Sequence, residues 1–254
     1  MWKITWLKAT FLFFFISVAL GFQIQARAQI FTDQQQTSTS QQEIAEPKVS
    51  DPFEKSNQKI FSFNDRLYTQ VITPITNAYD ELPVTVRSIF RNGFENLEDP
   101  ARFVNFVLQA RPTMAGNTMS RFILNSTVGI GGMFDVAKNA LGVRRVDSDF
   151  GQTLGMWGVA PGPYLVVPGL GPSDIRDLFG LAADSVMNPL FWVPGPFWNT
   201  IPADTVDYVG KAADNIDSYE TMKKAALDPY VSMRNGYMQY RDNLVDKGLQ
   251  DQFK

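Results

Sequence analysis

Apolar residues recur at intervals of three and four along most of this chain, which is the spacing of one face of an α-helix. After Ser173, for example, Ile175, Leu178, Phe179 and Val186 follow this spacing. The same pattern predicts helices over residues 52–71, 84–97, 100–108, 113–125, 202–226 and 228–248. The alternation that indicates a strand is confined to residues 164–167. The sequence therefore predicts an all-α fold.

Asp-Pro pairs mark three of the predicted helix starts, at Asp51, Asp99 and Asp228. An aspartate N-cap accepts hydrogen bonds from the first free amides of a helix, and a proline at the first helical position has no amide to satisfy. Ser173 is predicted to cap the helix that follows it. These four residues set the expected boundaries between helices.

Residues 150–173 carry no charged side chain and are rich in glycine, proline and large apolar residues. We expect this segment to be irregular, because proline removes backbone donors and glycine weakens strands. It is nevertheless too apolar for an ordinary solvated loop, so it should be covered by protein or contact an apolar ligand. A shorter apolar connector contains Gly129, Gly131 and Gly132, which we interpret as a hinge or a close-packing site.

The first residues have the pattern of a cleaved export signal. Lys3 and Lys8 precede an apolar block, and Ala26 and Ala28 occupy the small-residue positions that a leader peptidase reads. The block is short for a transmembrane helix, which needs about 20 apolar residues. We therefore expect a signal over residues 1–28, a disordered Gln/Ser/Thr-rich tether over 29–50, a helical domain over 51–245 and a tail over 246–254.

The composition excludes several kinds of chemistry. The chain has no histidine and no cysteine, so Ser–His and Cys nucleophiles, the common His/Cys zinc sites and disulfides are excluded. A net charge of −3 without a basic cluster argues against a nucleic-acid partner. Because no phosphate-binding loop or nucleophile elbow occurs, we expect neither an enzyme nor a bound cofactor.

Two interpretations of the apolar helix faces stay open. The chain has 20 phenylalanines, which widen these faces. They could pack inside a soluble periplasmic domain, or they could lie in a bilayer interface with Trp157, Trp192 and Trp198 as interfacial aromatics. Paired carboxylates such as Asp147 and Asp149 would also allow a hydrolase, although aspartates at helix starts are usually caps.

Polar residues beside the uncharged segment are candidates for contact with a lipid head group. Asp149, Gln152 and Thr153 lie at its beginning, and Arg176 and Asp177 follow its end. A phospholipid needs an apolar route for its acyl chains and a few charges for its head group. The alternative is that Arg176 and Asp177 form a solvated turn of the following helix.

This chain resembles the MlaA (VacJ) family in four segments that occur in order. They are DPFEKSNQKIFSFND (51–65), RFILNSTVGIGGMFDVA (121–137), DFGQTLGMWGVAPGPYLVVPGLGPSDIRD (149–177) and DSYETMKKAALDPYVSMRNGYMQYR (217–241). The resemblance implies a ring of amphipathic helices in the inner leaflet of a Gram-negative outer membrane. Mislocalised phospholipids would leave the outer leaflet through its central amphipathic channel. The implied partners are phospholipids, a trimeric outer-membrane porin and a periplasmic lipid carrier.

The resemblance also implies where the lipid path runs. The path would be formed by Asp149, Gln152, Thr153, Leu154, Trp157, Tyr164, Leu165, Val166, Arg176 and Asp177. One departure from the family is the absence of an acylated cysteine, since Ala28 and Gln29 occupy that region. Attachment would then depend on the amphipathic helices and on porin contacts. A structural porin-associated protein and a periplasmic carboxylate hydrolase are the rival interpretations.

Overall fold

A computed structural model describes residues 49–192 and 208–252. Its helices are α1 (Glu54–Leu67), α2 (Thr73–Asp80), α3 (Val84–Leu108), α4 (Pro112–Thr127), α5 (Val136–Leu141), α6 (Phe150–Met156), α7 (Ile175–Met187), α8 (208–213), α9 (Ile216–Ala225) and α10 (Pro229–Asp251). A π-helical turn, Tyr68–Ile72, joins α1 to α2, and a 3₁₀ turn, Pro189–Trp192, follows α7. The predicted all-α class is confirmed. The expected signal, almost all of the tether and Trp198 lie outside the described residues.

The predicted start at Asp99 is wrong, because Asp99 and Pro100 lie inside α3. The carboxylate of Asp99 accepts a 2.7 Å hydrogen bond from Arg102 instead of capping a new helix. Asp51 does not cap either, since its carboxylate accepts bonds from Asn57 and Tyr230. The third Asp-Pro start, at Asp228, is confirmed.

Two further boundaries differ from those predicted. The cap of α7 is Asp174 and not Ser173, because the Asp174 carboxylate accepts a 2.8 Å bond from the Asp177 amide. The helix expected over residues 202–226 is interrupted by a turn at 214–215, which separates α8 from α9. The last helix, α10, extends past residue 245 into the predicted tail.

The prediction that residues 150–173 are irregular holds for residues 157–163 but is wrong for the two ends of the segment. Asp149 caps α6 at the beginning of this segment, and its end forms an antiparallel hairpin of β1 (Tyr164–Val167) and β2 (Gly171–Asp174). The strand predicted at β1 is thus confirmed. Pro172 of β2 stands opposite Val166 of β1. The Val166 N–H points away from β2 and donates to the Asn57 side chain, so this pair of residues makes no hydrogen bond between the strands and a proline is tolerated. Its missing N–H therefore interrupts no bond between the strands.

Two buried asparagines of α1 hold the hairpin. The Asn57 side chain donates to the Tyr164 carbonyl at 3.0 Å and accepts from the Val166 N–H at 2.9 Å. Two helical turns later, Asn64 donates to the Val167 carbonyl and accepts from the Gly169 N–H, at 2.9 and 2.7 Å. These amides satisfy the Val166 and Gly169 N–H groups and the Tyr164 carbonyl, and they add a donor to the Val167 carbonyl, which also accepts from the Leu170 N–H.

The interior of the described residues is more polar than apolar. It buries 26 polar or charged side chains but only 18 hydrophobic ones. The buried hydrophobic side chains form small separate clusters. The largest cluster packs Tyr68 and Ile72 against Tyr208, Val209 and neighbouring residues of α8 and α9. Ordinary soluble domains bury mainly apolar residues, so charged pairs take an unusually large part in this interior.

Large apolar side chains lie on the outside instead. Val128, Ile130, Phe179 and Trp192 are each more than 60% exposed. Further exposed apolar residues lie on several helices or directly beside them, among them Phe53, Phe63, Val71, Ile75, Val84, Phe90, Val107, Ile123 and Phe134. In the part of the chain that the structure describes, no helix combines the length and the hydropathy needed to cross a membrane.

Candidate functional site

Helices α6, α7 and α10 meet around a buried group of polar side chains. This group, the Arg241 cluster, consists of Asp149, Asp174, Arg176, Asp177, Tyr237 and Arg241. Asp149 and Asp174 are the N-caps of α6 and α7, and one oxygen of each carboxylate accepts a bond from an amide of the first helical turn. The cluster therefore joins the beginnings of two helices to the middle of a third.

Arg241 is the centre of the cluster. Its two terminal nitrogens donate to both oxygens of Asp149 at 2.7 and 2.8 Å, and Nη2 also donates to Asp177 Oδ1 at 2.8 Å. The Tyr237 hydroxyl donates to the other Asp177 oxygen at 2.5 Å. Arg176 adds a second cation, with its Nε 3.2 Å from Asp177 Oδ1. Bidentate guanidinium–carboxylate pairs are among the stronger hydrogen-bonded contacts in proteins.

Two glycines allow α6 and α7 to approach each other at this cluster. A Cβ atom on Gly180 would lie 2.3 Å from the Gly151 nitrogen, and one on Gly151 would lie 2.4 Å from Asp177 Oδ1. Such separations are far inside van der Waals contact. A larger residue at either position would therefore separate the helices and stretch the bonds of the Arg241 cluster.

A chain of buried hydrogen bonds continues from α6 and α7 to α3. Asp184 accepts from the Phe150 amide at 2.8 Å and from Asn105 Nδ2 at 2.7 Å. Thr153 donates to Asn105 Oδ1, and Gln109 donates to Thr153, both at 2.9 Å. These contacts fix α3, α6 and α7 to each other, and Arg241 adds α10 through Asp149.

A second ionic group lies on α3 around Arg102, which is 1% exposed. Arg102 bonds to Asp99 at 2.7 Å and also pairs with Glu98, which in turn binds Lys211 of α8. Asp147 approaches the Arg102 Nε to 3.3 Å. This group connects α3 to α8 and to the segment before α6.

The pKa values of the buried acids are shifted in different directions. Burial raises the pKa of Asp174 to about 7, because loss of water disfavours the carboxylate and Asp177 adds repulsion. It raises the pKa of Asp184 to about 8, with repulsion from Asp149. Burial also acts to raise the pKa of Asp149, but the Arg241 charge and its hydrogen bonds outweigh it and lower that pKa. The interior therefore contains a firmly charged pair beside acids that titrate near neutral pH.

Most of the residues expected along the lipid path are inside the protein. Those that are buried are Asp149, Gln152, Thr153, Tyr164, Val166, Arg176 and Asp177. Leu154 and Leu165 are half-buried, and Trp157 is 55% exposed while its Nε1 donates to the Leu108 carbonyl. The alternative that Arg176 and Asp177 form a solvated turn is wrong, because each is 4% exposed.

The partners of these residues were missed by the sequence reasoning. Arg241 and Tyr237 complete the cluster from α10, and Asp184 and Asn105 extend it. One available signal was that Tyr237 and Arg241 are four residues apart, which places them on one face of a helix otherwise rich in polar residues. Nothing in that spacing identifies the acids they contact.

The glycines of the shorter connector have different surroundings. A Cβ on Gly129 would lie 2.3 Å from the Phe134 carbonyl oxygen, and one on Gly132 would lie 2.5 Å from Asn96 Cβ. Gly131 has open space, but its φ is +67°, in the left-handed region. Gly129 and Gly132 are therefore in close contact with backbone or side chains, whereas Gly131 serves a turn.

These features define a helical protein with a charged interior and an apolar exterior. Residues 49–244 match the model of the family described as MlaA lipoprotein. The chain belongs to the MlaA family, so the predicted resemblance is confirmed.

Similar proteins support this assignment. The chain is 34% identical over 203 residues to the intermembrane phospholipid transport system lipoprotein MlaA of Escherichia coli (strain K12), which covers 78% of this chain and 80% of that protein. Its identity to the protein of the same name from Haemophilus influenzae is 31% over 205 residues, again 78% and 80% of the two chains. A solved structure concerned with the structural basis for maintenance of bacterial outer membrane lipid asymmetry matches with a TM-score of 0.69 and 34% identity, and the match covers 77% of this chain and 99% of that one.

Proposed function

We propose that this protein moves mislocalised phospholipids out of the outer leaflet of a Gram-negative outer membrane and so maintains lipid asymmetry. Its relatives belong to an intermembrane phospholipid transport system, and the matching structure concerns outer-membrane lipid asymmetry. The observation in this chain that carries the proposal is its inverted distribution of side chains, with ion pairs inside and large apolar residues outside. Such a surface suits a bilayer better than water.

The exposed apolar side chains offer a means of attachment without an acylated cysteine. Full burial of an apolar side chain gains about 1.5–3 kcal/mol, so moving a half-exposed one from water into a bilayer gains roughly 1 kcal/mol. A single myristoyl chain binds with a constant of about 10⁴ M⁻¹, or roughly 5.5 kcal/mol. About six side chains like Phe179 on one bilayer-facing surface would therefore match one acyl chain.

The lipid path is part of the same proposal. Trp157, together with the half-buried Leu154 and Leu165, supplies apolar contact for the lipid. The buried members of the expected path, such as Asp149 and Asp177, hold the frame beside it. In the other apolar connector Gly131 would be the hinge, while Gly129 and Gly132 pack closely against their surroundings.

The proposed location is the periplasmic side of the outer membrane, embedded in its inner leaflet. The helices would form a ring around the path, a trimeric porin would hold that ring, and a periplasmic carrier would receive the lipid. Transport of this kind breaks no covalent bond, which agrees with acids such as Asp149 being engaged by Arg241.

Membrane fractionation tests the embedded arrangement. We expect the protein to sediment with outer membranes and to be released by detergent but not by high salt, because apolar contact is insensitive to ionic screening. A variant with Phe179→Ser and Ile130→Ser should be released more readily. Release of the unmodified protein by salt alone would contradict the proposal.

Deletion of the protein tests the transport role. We expect more phospholipid on the cell surface and greater sensitivity to detergent, both restored by the intact chain. If surface phospholipid stays unchanged while porin levels or assembly change, the protein has the rival structural role at the porin.

A further inference from the structure

A cavity of about 320 Å³ lies between the π-helical turn Tyr68–Ile72 and α9, away from the Arg241 cluster. Pockets for small molecules span roughly 300–1,000 Å³, so this one admits a head group and not a whole phospholipid. π-helical turns are rare and frequently occur at functional sites. The cavity is lined by charged, hydroxyl and aromatic side chains from both elements.

Its aromatic wall is formed by Tyr68 and Tyr219. Their rings are stacked, with centroids 5.3 Å apart and an angle of 28° between the planes. Both side chains are largely buried, so this wall is fixed in position. The wall bounds the cavity, and the Tyr219 hydroxyl donates to Asp65, the carboxylate that also holds Lys223.

Two ammonium groups supply donors to the cavity. Lys223 is held by Asp65 at 2.5 Å, and Lys224 by Glu220 at 3.0 Å. An ammonium carries three N–H groups, so each lysine keeps donors for the oxygens of an anion. The carboxylates orient the lysines but leave this capacity in place.

The same cavity also presents acceptors. The hydroxyls of Thr69 and Thr73 donate to backbone carbonyls, at 2.8 and 3.0 Å. Because each hydroxyl has only one proton, their oxygens can only accept from a ligand. Glu220 adds a carboxylate close to Lys224. The cavity therefore offers donors for an anion and acceptors for an N–H-bearing cation.

We propose that this cavity binds a zwitterionic group that combines a phosphate with a primary ammonium, as in the head group of phosphatidylethanolamine. The phosphate lies against Lys223 and Lys224, and the ammonium bonds to Glu220 and the threonine oxygens beside the tyrosine wall. This proposal rests on the proposed transport of phospholipid and adds a head-group preference to it. A choline group has no N–H to donate, and a glycerol head group has no cation for Glu220.

Lipid titration of the full chain in maltoside detergent tests the site. Short-chain phosphatidylethanolamine, phosphatidylcholine and phosphatidylglycerol are the probes, and native mass spectrometry measures their dissociation constants. We expect the ethanolamine lipid to bind about two- to fivefold more tightly than the other two, which is the upper part of the range for partly exposed charged contacts. Equal binding of all three lipids would overturn the proposal.

Variants assign the preference to the cavity. Lys223→Gln with Lys224→Gln should weaken binding of all three lipids several-fold, and Glu220→Gln should remove only the preference for ethanolamine. The matched control is Lys55→Gln with Lys59→Gln, two exposed lysines four residues apart on α1. Lys224→Gln alone, at a 77% exposed side chain, serves if the double variant does not fold by circular dichroism. A double variant that binds like the control would refute the site.

Two further measurements separate the possible ligands and the two proposals. Soluble O-phosphoethanolamine should compete with the lipid; if it binds through the lysines while the lipid does not, the site serves a free metabolite and the lipid assignment is wrong. A wild-type protein that lowers surface phospholipid but lacks a head-group preference refutes the cavity alone. Loss of lipid binding and of the surface-phospholipid effect together refutes the transport function as well.

Discussion

Replacement of Arg241 by methionine should severely destabilise the protein. Methionine has a similar length but leaves Asp149 and Asp177 buried without the three short hydrogen bonds that Arg241 now donates to them. Removing one partner from a buried ion pair costs about 3–5 kcal/mol, because the remaining charge stays out of water. Since domains are stable by about 5–15 kcal/mol, this loss is a large part of the total.

Urea unfolding in a fixed detergent, followed by circular dichroism, measures this change in the free energy of unfolding. The control is Arg91→Met, whose ion pair with Asp214 spans 3.5 Å between side chains that are both 49% exposed. Exposed pairs of this kind contribute at most about 1 kcal/mol. The milder Arg241→Lys keeps the charge and loses the bidentate geometry, so it should lie between the two.

If Arg241→Met loses no more stability than Arg91→Met, the buried ion pairs of the Arg241 cluster do not stabilise the fold. A second variant tests whether the buried charge is the cause. Asp177 keeps its contact with Arg176, so Asp149 is the acid that Arg241→Met leaves without a cation. Adding Asp149→Asn to Arg241→Met removes that charge, so the double variant should recover part of the lost stability. A double variant that is less stable by the sum of its single changes would show that charge burial is not the cause.

Asn57→Ala should cost about 1–3 kcal/mol and speed hydrogen exchange at the Val166 amide, which loses its acceptor; unchanged exchange there would contradict the role of Asn57. Gly132→Ala should destabilise by more than Gly131→Ala, since both have positive φ but only the first meets a side chain, and equal thermal shifts would count against this. Asp174 has a folded pKa raised to about 7 from an unfolded value near 4, so its contribution to stability is present at low pH and is lost as pH rises through 7. The free energy of unfolding of the unmodified protein should therefore fall by roughly 2–4 kcal/mol between about pH 4 and 7. Asp174→Asn keeps an acceptor for the cap but does not titrate, so this fall should be absent in the variant; an unchanged slope would exclude the titration of Asp174 as its cause.

Helices could be predicted from sequence because their signal is local. Periodic apolar residues gave correct positions for most of them, and Asp228 was a correct cap because its acceptor role involves the amide three residues later. The same dipeptide misled at Asp51 and Asp99, whose carboxylates bind side chains instead. A local pattern does not show which tertiary partner competes for an acid.

Only part of the candidate site could be predicted from the sequence, for the same reason. Asp149 and Asp177 were recognised as polar residues beside an apolar segment, yet Arg241 lies 92 and 64 positions away from them in the chain. Their burial follows from that distant contact. The apolar periodicity predicted the helices, but it could not tell whether an apolar face points toward the interior or away from it: on α1 the buried residues are Asn57 and Asn64, and Phe63 is exposed.

The asparagine clamp on the hairpin has a consequence for self-association. A strand edge with unpaired N–H and carbonyl groups is a template on which another chain can form a sheet. On the outer edge of β1, Ser50 accepts from the Tyr164 N–H, and Asn57 occupies the neighbouring carbonyl and amide. Because a side-chain amide stands where a third strand would pair, two copies of the chain cannot join through this edge.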